Sequence, residues 1–216
     1  MGEKILTYEG KQVTVTYNVK RCIHAGECVN GAPEVFDPAA KPWVTPDGAS
    51  AGKLAAVIEL CPTGALHHIR KDGGPVEVPS ARNSITVTPN GPLHLRGRLE
   101  LVDAAGQVSG RDLRLALCRC GASANKPYCD GAHAKAEFGD AAEWGTAALR
   151  SDKVDTDGML RVTQRKDGPL HVKGPFDLIG AAAKLSDCNE AWLCRCGSSR
   201  NKPFCDGTHK KIGFAA

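Results

Sequence analysis

Residues 118–133 read CRCGASANKPYCDGAH, and residues 194–209 read CRCGSSRNKPFCDGTH. Both follow one spacing: C-x-C, eight residues, C, three residues, H. The likeness extends upstream, where GPLHLRG at 91–97 returns as GPLHVKG at 168–174. Self-similarity of this kind marks two copies of one structural module. Side chains two apart on an extended segment point the same way, so Cys118 with Cys120, and Cys194 with Cys196, can bind one iron together. Residues four apart share a face of a helical turn, so Cys129 with His133, and Cys205 with His209, can bind a second. Asp130 and Asp206 are suited to cap that turn. Gly131 and Gly207 permit an unusual backbone angle or a close approach of N–H groups to sulfur. Ser123 and Ser199 are placed to donate hydrogen bonds to sulfur, and Pro127 and Pro203 stiffen the loop.

Composition agrees with metal as a structural element. The 216 residues include three Trp, three Tyr and five Phe, few for a core of this size, against ten Cys. The cysteines cluster beside histidines instead of lying at the intervals of a disulfide framework. No apolar run is long enough to span a bilayer, and Met1–Gly10 has no apolar core segment; this predicts a soluble, cytoplasmic protein with no membrane partner. The formal charge is +4 with both signs scattered, which does not suggest nucleic acid.

The two stretches resemble the CDGSH iron–sulfur domain of the mitoNEET family, C-x-C-x2-S-x3-P-x-C-D-G-[SAT]-H. Both match throughout, with Ala132 and Thr208 where the family name has serine. The resemblance covers roughly Ser80 to the C-terminus. It implies a [2Fe-2S] cluster in each module, held by Cys118, Cys120, Cys129 and His133 in the first and by Cys194, Cys196, Cys205 and His209 in the second. Four Cys/His donors also suit a structural zinc site, but zinc sites use C-x2-4-C pairs, and C-x-C favours iron–sulfur. Family members with one motif commonly pair as dimers, so a tandem repeat implies an intrachain pseudo-dimer that works as a monomer.

Ahead of these modules, 1–78 reads as a separate unit. Lys4–Tyr8 and Gln12–Tyr17 form a hairpin about Glu9-Gly10-Lys11. Leu54, Val57, Ile58 and Cys61 fall on one helical face, with Ser50 as cap, Pro62 as stop and Cys61 at the helix's inner end. Residues 72–80 read as a linker. Cys22-Ile23-His24-Ala25-Gly26-Glu27-Cys28, with Cys61-Pro62, resembles the divergent single-cluster ferredoxin domain found beside CDGSH motifs. Ala25 occupies the middle cysteine position of a C-x2-C-x2-C loop. Cys22, Cys28 and Cys61 could then hold a [3Fe-4S] cluster, a [4Fe-4S] cluster completed by water or His24, or nothing. Cys188 has no counterpart in the first repeat and reads as a structural thiol.

The expected architecture is therefore α+β: a small ferredoxin-like domain over 1–78, then two β-rich modules over 80–140 and 141–216. Strands are expected over Ser84–Thr88, Leu93–Leu101, Leu113–Cys118, Leu160–Thr163, Leu170–Lys173 and Trp192–Cys194, with short helical turns after Cys129 and Cys205. A histidine ligand raises a cluster's potential relative to four cysteines and leaves a ring nitrogen that can take a proton. The chain is thus expected to move electrons with proton coupling, to hand clusters to an apo-acceptor or sense redox state and pH, or to be a zinc-stapled interaction module. Its partner is a redox protein or an apo iron–sulfur acceptor. Arg119, Lys126, Arg195 and Lys202 either stabilise the reduced cluster, dock an acidic partner, or are ordinary surface charge. No Gly-rich dinucleotide loop or nucleophile–base arrangement suggests an enzyme.

Overall fold

The computed structural model describes residues 4–144 and 157–216, so parts of the expected first and third segments lie outside the described residues. The chain divides into two compact units, Met1–Val78 and Pro79–Ala216.

In the first unit, strands β1 (Ile5–Glu9) and β2 (Val13–Asn18) form the expected hairpin, closed by Gly10 N–H to Val13 O at 3.0 Å. A third strand, β3 (Leu66–Arg70), pairs antiparallel with β2. Sequence reasoning missed it because Leu-His-His-Ile-Arg lacks the β-branched richness of a strand. Helix α1 (Glu27–Gly31) is one turn and was also unforeseen; α2 (Ala51–Glu59) is the expected amphipathic helix. Ser50 Oγ caps α2 by accepting from Lys53 N–H. The helix ends before Cys61, which lies just past it with its N–H on Ile58 O at 3.0 Å. Leu54 and Ile58 from α2 meet Val13 and Val15 from β2 in one apolar core with Phe36 and Val44.

The second unit is a six-stranded mixed sheet. Its strands are β4 (Ser84–Val87), β5 (Leu93–Val102), β6 (Val108–Leu117), β7 (Leu160–Gln164), β8 (Leu170–Ile179) and β9 (Lys184–Leu193). Each repeat makes an antiparallel meander, β4-β5-β6 and β7-β8-β9. The two meanders then exchange edges. β4 pairs parallel with β8 over Ser84–Thr86, and β7 pairs parallel with β5 over Leu160–Thr163. Parallel neighbours of this kind need a long connection, which the chain between the repeats supplies. A single apolar core results, in which Ile85, Leu95, Leu101 and Leu117 of the first repeat pack with Val162, Leu170, Leu178 and Leu193 of the second. Cys188 is buried in that core.

Polar groups mark both exchanged edges. Glu100, 2% exposed, pairs with Arg161 across one edge at 2.6 Å, and Asp177 pairs with Arg82 across the other at 2.9 Å. After β6 and β9 the chain turns into the two metal-loop stretches, each ending in one helical turn: α3 (Ala132–Lys135) and α4 (Thr208–Lys211). Among the described residues no helix is long and apolar enough to cross a membrane.

Candidate metal centres

In each module the sheet delivers two cysteines and the following turn delivers a cysteine and a histidine. Cys118 follows β6 directly, and its Sγ lies 3.6 Å from Cys120 Sγ; Cys194 and Cys196 stand 3.8 Å apart after β9. The one-turn helices bring Cys129 Sγ to 3.4 Å from His133 Nδ1 and Cys205 Sγ to 3.4 Å from His209 Nδ1. All eight expected donors are therefore grouped in pairs. Among the described residues no three His, Cys, Asp or Glu side chains close around one point. Cys118, Cys129 and Cys194 are buried, while both histidines are half-buried.

Backbone pairing holds each loop closed. Cys118 N–H binds Pro127 O and Cys129 N–H binds Ala116 O; Cys194 N–H binds Pro203 O and Cys205 N–H binds Trp192 O, all at 2.8–2.9 Å. Asp130 accepts from the N–H groups of Ala132 and Ala124, and Asp206 from those of Thr208 and Arg200, so each aspartate caps its turn and also ties it to the loop. The Arg200 N–H, then the Thr208 contacts, hold Asp206 below the usual carboxylate range. Gly131 and Gly207 both take φ 84 with open space where a Cβ would go, so the left-handed angle is what requires glycine. Their N–H groups point at Cys129 and Cys205 Sγ at 3.4 Å.

The serine hydroxyls do not reach sulfur. Ser123 Oγ donates to Tyr128 O and Ser199 Oγ to Phe204 O, each at 2.7 Å. Main-chain N–H groups take their place: those of Ser123 and Gly121 favour the Cys118 thiolate, and those of Ser199 and Gly197 the Cys194 thiolate. Cys118 is drawn down to about 6, first by its hydrogen bond with Cys120, whose thiol goes up for the same reason. Cys194 is pushed up to about 11, first by burial.

Nor are Arg119 and Arg195 surface charges. Both are 2% exposed. Arg119 donates to Gly91 O, Thr88 O and Asp140, and Arg195 to Gly168 O and Arg165 O, so each pins its metal loop to its own hairpin turn. Buried cations survive only when paired in this way. Lys126 and Lys202 donate inward to Ser123 O and Ser199 O. Each lysine also stands 5.9 Å from a phenylalanine ring of the other module, Lys126 over Phe214 and Lys202 over Phe138, while Arg195 and Arg119 lie over the same two rings. The two loops meet directly where Cys120 and Cys196 form an antiparallel bridge.

In the first unit, Cys22, Cys28 and Cys61 line a cavity of about 560 Å³ together with Tyr8, Tyr17 and Trp43. Cys22 follows the turn Val19–Arg21, Cys28 sits in α1 and Cys61 lies beyond α2. Burial, then the neighbouring Cys61 and Cys22, raises the Cys28 thiol, so the Cys28 sulfur lies within electrostatic reach of the other two. Cys61 Sγ is 3.5 Å from Thr63 Oγ1. Tyr17 is raised by burial and by a hydrogen bond with Cys22, a contact that no spacing rule announced. His24 stands exposed on the cavity wall with φ 57, and Ala25 is exposed beside it.

Comparison with known families finds matches over the segments that contain both sets of cysteines. A model described as "Iron-binding zinc finger CDGSH type" matches residues 90–134 and 167–210. A second, "Divergent 4Fe-4S mono-cluster", matches residues 8–71. The chain thus carries two CDGSH-type iron-binding domains, with a divergent mono-cluster domain at its N-terminal side. That mono-cluster part also resembles "Uncharacterized protein YjdI" from two Escherichia coli strains, at 38% identity over 64 residues, 30% of this chain and 84% of each relative. No solved structure is significantly similar to this CDGSH protein.

Proposed function

We propose that the chain carries two [2Fe-2S] clusters, one on Cys118, Cys120, Cys129 and His133 and one on Cys194, Cys196, Cys205 and His209, and that it is a one-electron carrier with proton coupling. The observation that carries this reading is the pairing of donors: sulfur with sulfur at 3.6 and 3.8 Å, sulfur with imidazole at 3.4 Å, within each module. Two irons need two such pairs, whereas a single zinc needs four donors at one point. A [2Fe-2S] group supplies one-electron exchange when bound. The chain's own residues then hold its charge. Backbone N–H groups of Gly131 and Gly207 face cysteine sulfur, and the half-buried histidines leave a ring nitrogen free to trade a proton with water.

The reciprocal edge exchange of β4 and β7 supports an intrachain pseudo-dimer, with one chain supplying both halves and no second copy needed. The same exchange argues against independent folding of segments 80–140 and 141–216. The Cys120–Cys196 bridge gives a direct link between the two ligand sets. In the first unit, Cys22, Cys28 and Cys61 are the candidate ligands of a third cluster, [3Fe-4S] or [4Fe-4S], which would make the chain an internal relay. The partial exposure of His133 and His209 favours a second reading: protonation that frees a cluster for transfer to an apo-acceptor.

Visible absorption with iron, sulfide and zinc analysis, on protein purified without oxygen, tests this directly. Two irons and two sulfides per module, with a spectrum that shifts in His133→Cys plus His209→Cys, are expected; zinc without colour would sink the proposal. Iron that disappears only in Cys22→Ala identifies the third cluster.

A further inference from the structure

The internal repeat supplies its own control for locating a partner surface. Of the cations kept in both loops, two pairs are committed inside the unit, Arg119 and Arg195 to carbonyls and Lys126 and Lys202 to serine carbonyls and to the rings of the opposite module, while the third pair, Lys135 and Lys211, is exposed in both. Positions that differ between the copies are where the two faces of the molecule part company. From 118 to 138 the loop holds Arg119, Lys126 and Lys135 against Asp130 and Glu137, net +1. From 194 to 214 it holds Arg195, Arg200, Lys202, Lys210 and Lys211 against Asp206, net +4. Arg200 and Lys210 stand where the first loop has Ala124 and Ala134, and Gly213 stands where it has Glu137. Arg200, Lys210 and Lys211 are all exposed.

A second difference lies beside that charge. Ala116, buried, occupies in the first module the place that Trp192, 43% exposed, occupies in the second. Both residues accept the backbone hydrogen bond of the third cysteine, Cys129 or Cys205. The Trp192 ring stacks on His171 at 3.8 Å and 7°, Arg165 lies 5.3 Å from its centroid, and His171 is in turn held by Glu190 at 2.7 Å. An exposed indole already fixed on its neighbours loses little freedom on being covered, which is the character of an interface anchor.

We propose that the second metal loop, and not the first, is the docking surface for an acidic redox protein, with Arg200, Lys210 and Lys211 supplying the charge and Trp192 the anchor. This deepens the electron-carrier reading and rests on Cys194, Cys196, Cys205 and His209 being cluster ligands. Complementary charge steers the encounter, and an aromatic plate one hydrogen bond from Cys205 fixes the docked pose near the ligands. An acidic protein fits better than nucleic acid because the exposed charge is three residues of one short loop beside a single aromatic plate, and not a basic stripe along the surface.

The test uses the full cluster-loaded chain with an acidic flavodoxin as probe, zero-length carbodiimide cross-linking to map contacts, and titration at low and high salt for affinity. Cross-links at Lys210 and Lys211 but not at Lys135, and an affinity lowered about tenfold in Arg200→Ala plus Lys210→Ala, are expected. The reverse variant, Ala124→Arg plus Ala134→Lys, should raise the stoichiometry from one flavodoxin per chain to two. Equal cross-linking of both loops, unchanged affinity in the double variant, or binding of a single-stranded oligonucleotide in place of flavodoxin would overturn the proposal. Iron and sulfide are counted on every sample, so that a zinc-loaded, colourless protein defeats the cluster assignment separately from the docking map.

Discussion

The two units hold cysteines in opposite ways. In the C-terminal unit each donor pair lies within one short segment, and strand ends plus single helical turns bring the atoms to 3.4–3.8 Å without help from distant chain. In the N-terminal unit Cys22, Cys28 and Cys61 come from three elements and are spread around a cavity of about 560 Å³ walled by Tyr8, Tyr17 and Trp43. Local spacing sets the first kind of site; packing of α2 against α1 and β3 sets the second. The first should therefore tolerate core damage that the second does not, and each should lose metal independently.

Removing a ligand is the largest perturbation available. Cys61→Ala is expected to abolish iron in the N-terminal unit and leave the visible spectrum of the CDGSH modules intact, while Cys194→Ala removes the iron of the second module. Metal analysis with absorption spectra checks both. A shared loss of iron from both units in either variant would break the comparison.

Next in size is the place where the two metal loops touch. Gly121 and Gly197 both take φ 81, and a Cβ on either would meet the facing carbonyl of Cys196 or Cys120 at 2.6 Å or at a still closer approach. Gly197→Ala should cost roughly 3 kcal/mol, because a forbidden backbone angle and a backbone clash add. Gly207→Ala meets only the angle and should cost about 1 kcal/mol. Urea unfolding followed by tryptophan fluorescence separates the two, and equal costs would mean that the loops are not in contact.

The exchanged strand edge gives a smaller, pH-dependent effect. Glu100 is almost fully buried and is held below the usual carboxylate range, first by its hydrogen bond with Arg161 and against its own desolvation. A carboxyl whose folded value is depressed contributes stability that is fully present above its unfolded value of about 4.3 and is lost as pH falls through the folded value. Glu100→Gln should lower stability at neutral pH by about 2 kcal/mol, the scale of a charge-assisted hydrogen bond, and should flatten that part of the acid limb. Identical acid limbs in the two proteins would remove Glu100 from the account.

How much of this was legible in the sequence follows from the range of the forces involved. The pairing of Cys118 with Cys120 and of Cys129 with His133, and of their counterparts in the second module, could be read from spacing because two-residue and four-residue periods are local geometry. The hairpin and α2 could be read from patterning for the same reason. The exchange of β4 and β7 could not, since a parallel edge between Ser84–Thr86 and Asp177–Ile179 joins residues that no local rule connects. β3 was missed because its two histidines, His67 and His68, conceal a strand whose pairing is set by β2. Arg119 and Arg195 misled most. Arginine is an exposed residue by default, and only carbonyls at Gly91, Thr88, Gly168 and Arg165, brought near by folding, make burial affordable.

The smallest expected effect separates the two units at the level of one hydroxyl. Ser199 Oγ is buried, donates to Phe204 O at 2.7 Å and accepts from Asn201 N–H at 3.0 Å, so its bonds close the loop and bypass sulfur. Thr63 Oγ1, in the other unit, lies 3.5 Å from Cys61 Sγ while accepting from Ala65 N–H at 3.2 Å. Ser199→Ala should cost about 1 kcal/mol in stability and leave the potential of the second module unchanged, because it removes a loop pin alone. Thr63→Val should move the potential or the absorption bands of a cluster on Cys61, since a hydrogen bond to a ligand sulfur disperses its charge. Redox titration of the two variants side by side reads both outcomes. A shifted potential in Ser199→Ala would put the hydroxyl back on sulfur, as spacing alone had suggested. An unmoved spectrum in Thr63→Val would leave Cys61 as a packing residue beside an apolar cavity.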